Sequence, residues 1–325
     1  LKLRKDEKFK LILGLGNKDI KSAIDTALLY AHAGVRFFDF APEIFIDFKK
    51  ALKKAGFNTN DFTLCVSAAA LGDIHGRKAK VSDVVCSGCG LCRGICPEGA
   101  MQIDKKTKKS SVEFKKCIGC GICKKTTSCY AISFEYANCE INALKQLVLN
   151  SKDDFNMPDM VEFHAFIPDK KQIISDFRDI ISFFKGDISI CINRKQFPID
   201  ETIELLCQMK SIYNAENHDG GFYVQADGAS MNGGAADEDS TLDCILFAEE
   251  LLKFSKSFGI KLIISGGTNI NTPDMASRQF DDEDDFPIIA YGTYARKIVS
   301  NLSHSEALIR AKELFDKTCK IVERV

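Results

Sequence analysis

The chain has 325 residues, a hydrophobic fraction of 45% and a formal net charge of −1, so it can build a large core and offers no global field for nucleic acid or anionic lipid. No run reaches the roughly 18 uncharged apolar residues of a membrane span, and the charged start LKLRKDEKFK lacks a signal-peptide pattern. The length exceeds the usual single domain of about 100–200 residues but suits one large α/β unit with a small insertion.

In chain order, short β-rich runs alternate with longer runs of helical period, the pattern of parallel strands joined by crossover helices. The expected strands are Leu11–Gly16, Phe37–Ala41, Phe62–Ser67, Met160–Ala165, Ile188–Ile192, Phe222–Ala226, Lys261–Ser265 and Pro287–Tyr291. Helices fit between them at Ile20–Ala33, Glu43–Ala55, Glu140–Asn150, Lys170–Phe184, Glu201–Tyr213, Leu242–Phe258 and Ser305–Val325, with a short one at Thr272–Arg278. Eight such units close a (β/α)8 TIM-like barrel, and an open doubly wound sheet is the competing arrangement. The expected division is residues 1–78 and 139–325 for the barrel, and 79–138 for a bacterial-type 2[4Fe-4S] ferredoxin-like insertion after strand 3.

That insertion is read from the cysteines. Of 14 in the chain, eight crowd between Cys86 and Cys129, where a disulfide framework would spread them. Cys86, Cys89, Cys92 and Cys96 with Pro97 form C-x2-C-x2-C-x3-C-P, and Cys117, Cys120, Cys123 and Cys129 repeat the opening spacing. Three cysteines two residues apart wrap one face of a cubane, and the fourth reaches the neighbouring cluster. The expected ligand sets for two [4Fe-4S] clusters are therefore Cys86, Cys89, Cys92 and Cys129, and Cys117, Cys120, Cys123 and Cys96. Gly88, Gly90, Gly119 and Gly121 let the backbone aim amides at the sulfurs. Paired C-x2-C units also build structural zinc sites, but the third cysteine and the Cys-Pro ending fit the ferredoxin pattern better. Five residues separate Cys123 from Cys129, and Tyr130 stands where proline is usual. Cys129 is favoured over Cys139 as the last ligand. Cys65, Cys191, Cys207, Cys244 and Cys319 read as buried thiols.

At the barrel's carboxyl-terminal face, Gly266, Gly267 and Thr268 follow strand seven, and Gly292, Thr293 and Arg296 follow strand eight. Glycines and a helix start suit a phosphate, so FMN or another phosphate-bearing ligand is a candidate there. Asn17, Asp39, Glu162, His164, Asn193, Gln225 and Asp227 stand at expected strand ends. A structural role for His164, and helix capping by Asp39 or Asp227, are equally open. The Asp227–Gly234 loop could act as a lid. Gly14-x-Gly16 lacks the third glycine of a dinucleotide turn and is discounted. The acidic run Asp281–Asp285 reads as a solvated loop. No Ser/His/Asp set, carboxylate pair or Walker loop names a reaction.

At Gln225–Gly228 (QADG), Ser265–Asn269 (SGGTN), Ala290–Lys297 (AYGTYARK) and the opening run Phe9–Ala41, the chain resembles the LdpA (light-dependent period) family of cyanobacteria and plastid relatives. The resemblance implies an iron–sulfur redox sensor that conveys photosynthetic electron-transport state to the circadian clock, with clusters on the cysteines matched by Cys86–Cys96 and Cys117–Cys129. It departs from the family's pattern in having a regular first motif and a stretched second one. It also implies signalling or redox protein partners and a cytoplasmic or stromal location. Two other expectations stand beside it: an iron–sulfur flavoenzyme, and a subunit of a larger redox complex docked through Lys124–Ser128.

Overall fold

The computed structural model describes residues 5–13, 19–73, 76–114, 116–136, 140–151, 157–216, 218, 220–228 and 238–322. The first units are β1 (Phe9–Ile12), α1 (Ile20–Ala33), β2 (Phe37–Phe40), α2 (Pro42–Lys54) and β3 (Thr63–Ala69). The chain then forms β4 (Arg77–Val81), α3 (Leu91–Gly94), β5 (Met101–Ile103), β6 (Ser110–Val112), α4 (Ile122–Thr127) and β7 (Ile132–Tyr136). It continues through α5 (Glu140–Leu149), β8 (Met160–His164), α6 (Lys170–Phe183), β9 (Asp187–Asn193), α7 (Ile199–Ala215), β10 (Phe222–Asp227), α8 (Glu238–Phe258) and β11 (Lys261–Ser265). It ends with α9 (Thr272–Ala276), β12 (Ile288–Tyr291), α10 (Thr293–Val299) and α11 (His304–Val322).

Eight strands close a parallel barrel in the order β1-β12-β11-β10-β9-β8-β3-β2, so the open sheet is excluded. The expected strands all occur, with shifted ends. The first begins two residues early, at Phe9, and its expected end at 14–16 lies outside the described residues. The helix start expected after β12 is α10, which begins at Thr293 with Gly292 as its N-cap. Local chemistry explains other boundaries. Asp19 caps α1 by accepting from the Ser22 amide at 3.2 Å, and Asp169 accepts from the amides of Lys171 and Gln172 at the start of α6. Pro42 opens α2, where its missing N–H costs nothing.

Strand residues facing outward, among them Phe38, Phe40, Val161 and Val224, are buried beneath the helices in one continuous core. Phe40 packs on Phe48 of α2 with ring centroids 4.5 Å apart. The inward residues form a separate column. Pairing registers step by two residues between alternate strands, which stacks the column in layers of four. The lowest holds Phe37, Met160, Tyr223 and Ile288, and the next Lys10, Cys65, Ser189 and Ile263. Above lie Asp39, Glu162, Gln225 and Ala290, then Ile12, Ser67, Cys191 and Ser265. Barrels normally fill these layers with branched aliphatics. Here the upper three are rich in polar and charged side chains.

Between β3 and β8 the chain leaves the barrel and builds two antiparallel ladders, β4 with β7 and β5 with β6. Ala79, Cys92, Ala100, Met101, Cys117, Cys123 and Ile132 give this segment a small core of its own. Among the described residues, no helix is long and apolar enough to cross a membrane.

Candidate functional site

The eight crowded cysteines divide between two cavities. Cys86, Cys89 and Cys92 line one of about 290 Å³ together with Cys129. Cys117, Cys120 and Cys123 line a tighter one, of about 20 Å³, together with Cys96. Each motif thus lends its fourth cysteine to the other's trio, because antiparallel pairing of β4 with β7 and β5 with β6 lays the two motifs head to tail. The longer gap before Cys129 is taken up by α4, which has six residues where α3 has four, and by Ser128 in the left-handed region at φ 49°. Cys139 lies outside the described residues.

The surroundings repeat as well. The Ala79 amide donates to Cys117 Sγ at 3.3 Å, and the Ser110 amide donates to Cys86 Sγ at 3.4 Å. The preceding lysines, Lys78 and Lys109, donate to the carbonyls of the same two cysteines. Ala100 N–H reaches Cys96 Sγ at 3.3 Å. The Ser110 and Gly88 amides hold the Cys86 thiol below its usual range, whereas burial pushes Cys123 up to about 12. Sulfurs that accept backbone N–H bonds are the arrangement that stabilises thiolate ligands. Gly88 has φ +78°, and a Cβ there would stand 2.9 Å from the Lys108 carbonyl oxygen, so a side chain would press the two halves of the segment apart.

Tetrahedral zinc, with Zn–S near 2.3 Å, gathers its thiolates to about 3.8 Å of one another. Among the described residues the one set of three His, Cys, Asp or Glu ligand atoms all within 4.8 Å is Glu162, His164 and Cys191, inside the barrel. No three of the eight cysteine sulfurs form such a set.

That barrel set belongs to a buried network. Lys10 Nζ pairs with Glu162 Oε2, lies 3.2 Å from Asp39 Oδ2, and donates to Gln225 Oε1 at 2.9 Å. Gln225 Nε2 donates to Glu162 Oε1 at 2.9 Å and to Cys191 Sγ at 3.2 Å, and Ser67 Oγ donates to Asp39 Oδ1 at 2.5 Å. His164 Nε2 stands 2.8 Å from Glu162 Oε1. Burial pushes the Asp39 carboxyl up to about 6 against the pull of Lys10. Burial also opposes the charge of Glu162, but Lys10 and His164 outweigh it and draw that carboxyl down to about 2. The two carboxylates in turn hold the Lys10 ammonium well above its ordinary range, despite burial. The network lies just below the carboxyl-terminal mouth, with Asp39 the carboxyl that burial makes easiest to protonate.

The residues expected to meet a phosphate sit on that mouth. A Cβ on Gly266 would lie 2.3 Å from Asp227 Oδ1, so this glycine is packed on a carboxylate. Asp227 itself accepts from Ser265 Oγ at 3.2 Å and is 3.4 Å from Asn193 Nδ2. A Cβ on Gly267 would meet Ser240, and Thr268 Oγ1 donates to the Ala290 carbonyl at 2.6 Å. Thr293 and Arg296 lie on α10, with the Arg296 guanidinium donating to Thr293 Oγ1 at 3.0 Å. Burial lowers the Arg296 pKa, and Glu98 of the cysteine-rich segment acts on it in the opposite sense. Glu98 follows Cys96 and Pro97 and lines the cavity that holds Cys96. Asn17 and most of the expected lid, 229–234, lie outside the described residues.

Residues 155–322, from just before β8 to the end of α11, match the family model of the light dependent period A C-terminal domain. The match covers more than half of the chain. The chain belongs to the LdpA family. The LdpA match contains β8 to β12, with Glu162, His164, Cys191, Gln225 and the mouth residues, while Lys10, Asp39 and the cysteine-rich segment precede it. No curated protein matches the chain.

Sequence reasoning missed Lys10, Lys78 and Lys109. A lysine inside the apolar run Phe9–Leu13 was the available signal for the first. For the others it was a lysine eight residues before the first cysteine of each motif.

Proposed function

We propose that this LdpA-family chain is an iron–sulfur redox protein that binds two [4Fe-4S] clusters and serves as a redox sensor or electron relay, linked to photosynthetic and circadian redox input. Residues 79–138 form the ferredoxin-like insertion, with 1–78 and 139–325 as the two parts of the barrel. Cys86, Cys89, Cys92 and Cys129 hold one cluster, and Cys117, Cys120, Cys123 and Cys96 hold the other. The observation that carries this reading is the exchange of fourth cysteines between two four-thiol cavities.

When bound, the clusters supply one-electron chemistry. The chain's own residues do the rest. The amides of Ala79, Ala100 and Ser110 offset thiolate charge, and Lys78 and Lys109 fix the carbonyls behind the first cysteine of each motif. Redox or signalling proteins are the proposed partners, in the cytoplasm or the plastid stroma.

The test is anaerobic purification with iron and acid-labile sulfide analysis and EPR of the reduced protein. About eight irons and eight sulfides per chain are expected. A preparation holding only zinc, or no metal after reconstitution, would refute the reading. A flavin at the mouth is the second reading, favoured by the desolvated Arg296 guanidinium beside the first turn of α10. Acid release of a yellow chromophore tests it.

A further inference from the structure

The two thiol cavities are not equivalent. Around the first, Cys89 is exposed, and Leu91 (61% exposed) and Tyr130 (94%) stand on its rim, with Val84 (93%) in the loop leading to Cys86. Large apolar side chains so open to water are costly when scattered and informative when they surround one opening. Among the described residues, no large apolar side chain so open to water lines the second cavity.

Charge is divided in the same way. Residues 77–136 carry twelve Lys and Arg against five Asp and Glu, a formal +7, which leaves −8 on the remainder of a chain whose total is −1. The exposed share includes Arg93 on α3, Lys108 beneath Gly88, and Lys124 and Lys125 on α4, whose carboxyl-terminal end lines the first cavity. An exposed apolar patch on a segment of net positive charge suits a transient protein–protein contact, and steering by opposite charge raises its on-rate.

We propose that the face around Cys89, Leu91 and Tyr130 docks an acidic one-electron carrier protein, making the first cavity the entry side. The inference rests on the two-cluster reading. One electron leaves the reduced carrier and is taken up by the holoprotein, so the carrier ends oxidised by one electron and the holoprotein reduced by one, with no proton required. The positive charge calls for an acidic partner, and the apolar patch of Leu91 and Tyr130 beside an exposed cysteine favours a protein over a phosphate backbone.

The experiment uses holoprotein of verified iron content and an acidic flavodoxin as the carrier. Association is followed by NMR titration in the fully oxidised state, and electron transfer by anaerobic stopped flow. Binding should weaken by about tenfold or more in K124E/K125E and in L91S/Y130S, and also weaken steeply with added salt. Reduction by dithionite and the iron content should match those of the unaltered protein. Binding that is indifferent to both double variants, or to salt, overturns the proposal. So does tighter retention of a single-stranded oligonucleotide that displaces the carrier. An iron-free protein would defeat the cluster reading by itself, whereas the titration judges the surface separately.

Discussion

Replacing Lys10 by Met keeps an unbranched side chain, one atom shorter, and removes the cation that pairs with both Asp39 and Glu162. All three groups are essentially inaccessible to water. What remains is two carboxylates in the barrel interior with only Ser67, Gln225 and His164 against them. Breaking a buried ion pair by deleting one partner costs roughly 3–5 kcal/mol, because the orphaned charge stays desolvated. At about 2–4 °C per kcal/mol for a unit of this size, Tm should fall by on the order of 10 °C.

The deficit has a definite pH dependence. In the unaltered protein the folded Asp39 carboxyl, near 6, lies above its unfolded value of about 3.9, so the folded state holds the extra proton and this group's contribution falls as pH rises from about 4 to 6. Glu162 is opposite: with its folded value near 2, its stabilisation is present above about 4.3 and is lost as pH falls toward 2. Without Lys10 both carboxyls rise, so the K10M deficit should be greatest above about pH 7 and shrink toward pH 5. Urea unfolding of anaerobically handled protein, followed by circular dichroism, measures this, and K10M/E162Q should recover a large part of the loss. A K10M cost under about 1 kcal/mol, or one that does not shrink toward acid, would refute the placement of an ion pair inside the barrel.

Three other substitutions test separate features. C129S should lower iron from about eight to about four per chain while C139S leaves it unchanged, and the reverse result in iron analysis would reassign the last ligand. D39N should flatten the calorimetric fall in stability between about pH 4 and 6, and an undiminished slope would place that proton elsewhere. G266A puts a methyl 2.3 Å from a carboxylate oxygen at φ +73° and should cost more than the roughly 1–2 kcal/mol of left-handed strain expected for G259A, whose added methyl meets nothing at φ +62°. Equal Tm losses would show that Asp227 yields freely.

What could be read from the chain alone was whatever depends on near neighbours. Helix α1 was legible to the residue from its apolar period between Asp19 and Gly34, and β11 from its unbroken apolar run, because both are set by hydrogen bonds and side chains a few positions apart. The trios Cys86–Cys92 and Cys117–Cys123 were legible for the same reason, and the alternation of strands and helices implied the closed sheet. The spacing also led to the expected exchange of Cys96 and Cys129, and the pairing of β4 with β7 and β5 with β6 is what brings each to the other trio's cavity. Lys10 looked like one charge at the edge of an apolar run. Only closure of the barrel, which brings β1, β2, β8 and β10 around one axis, sets it against Asp39, Glu162 and Gln225. An unpaired charge cannot stay buried, so its partners had to come from strands up to 215 residues away, a distance over which no local pattern carries information.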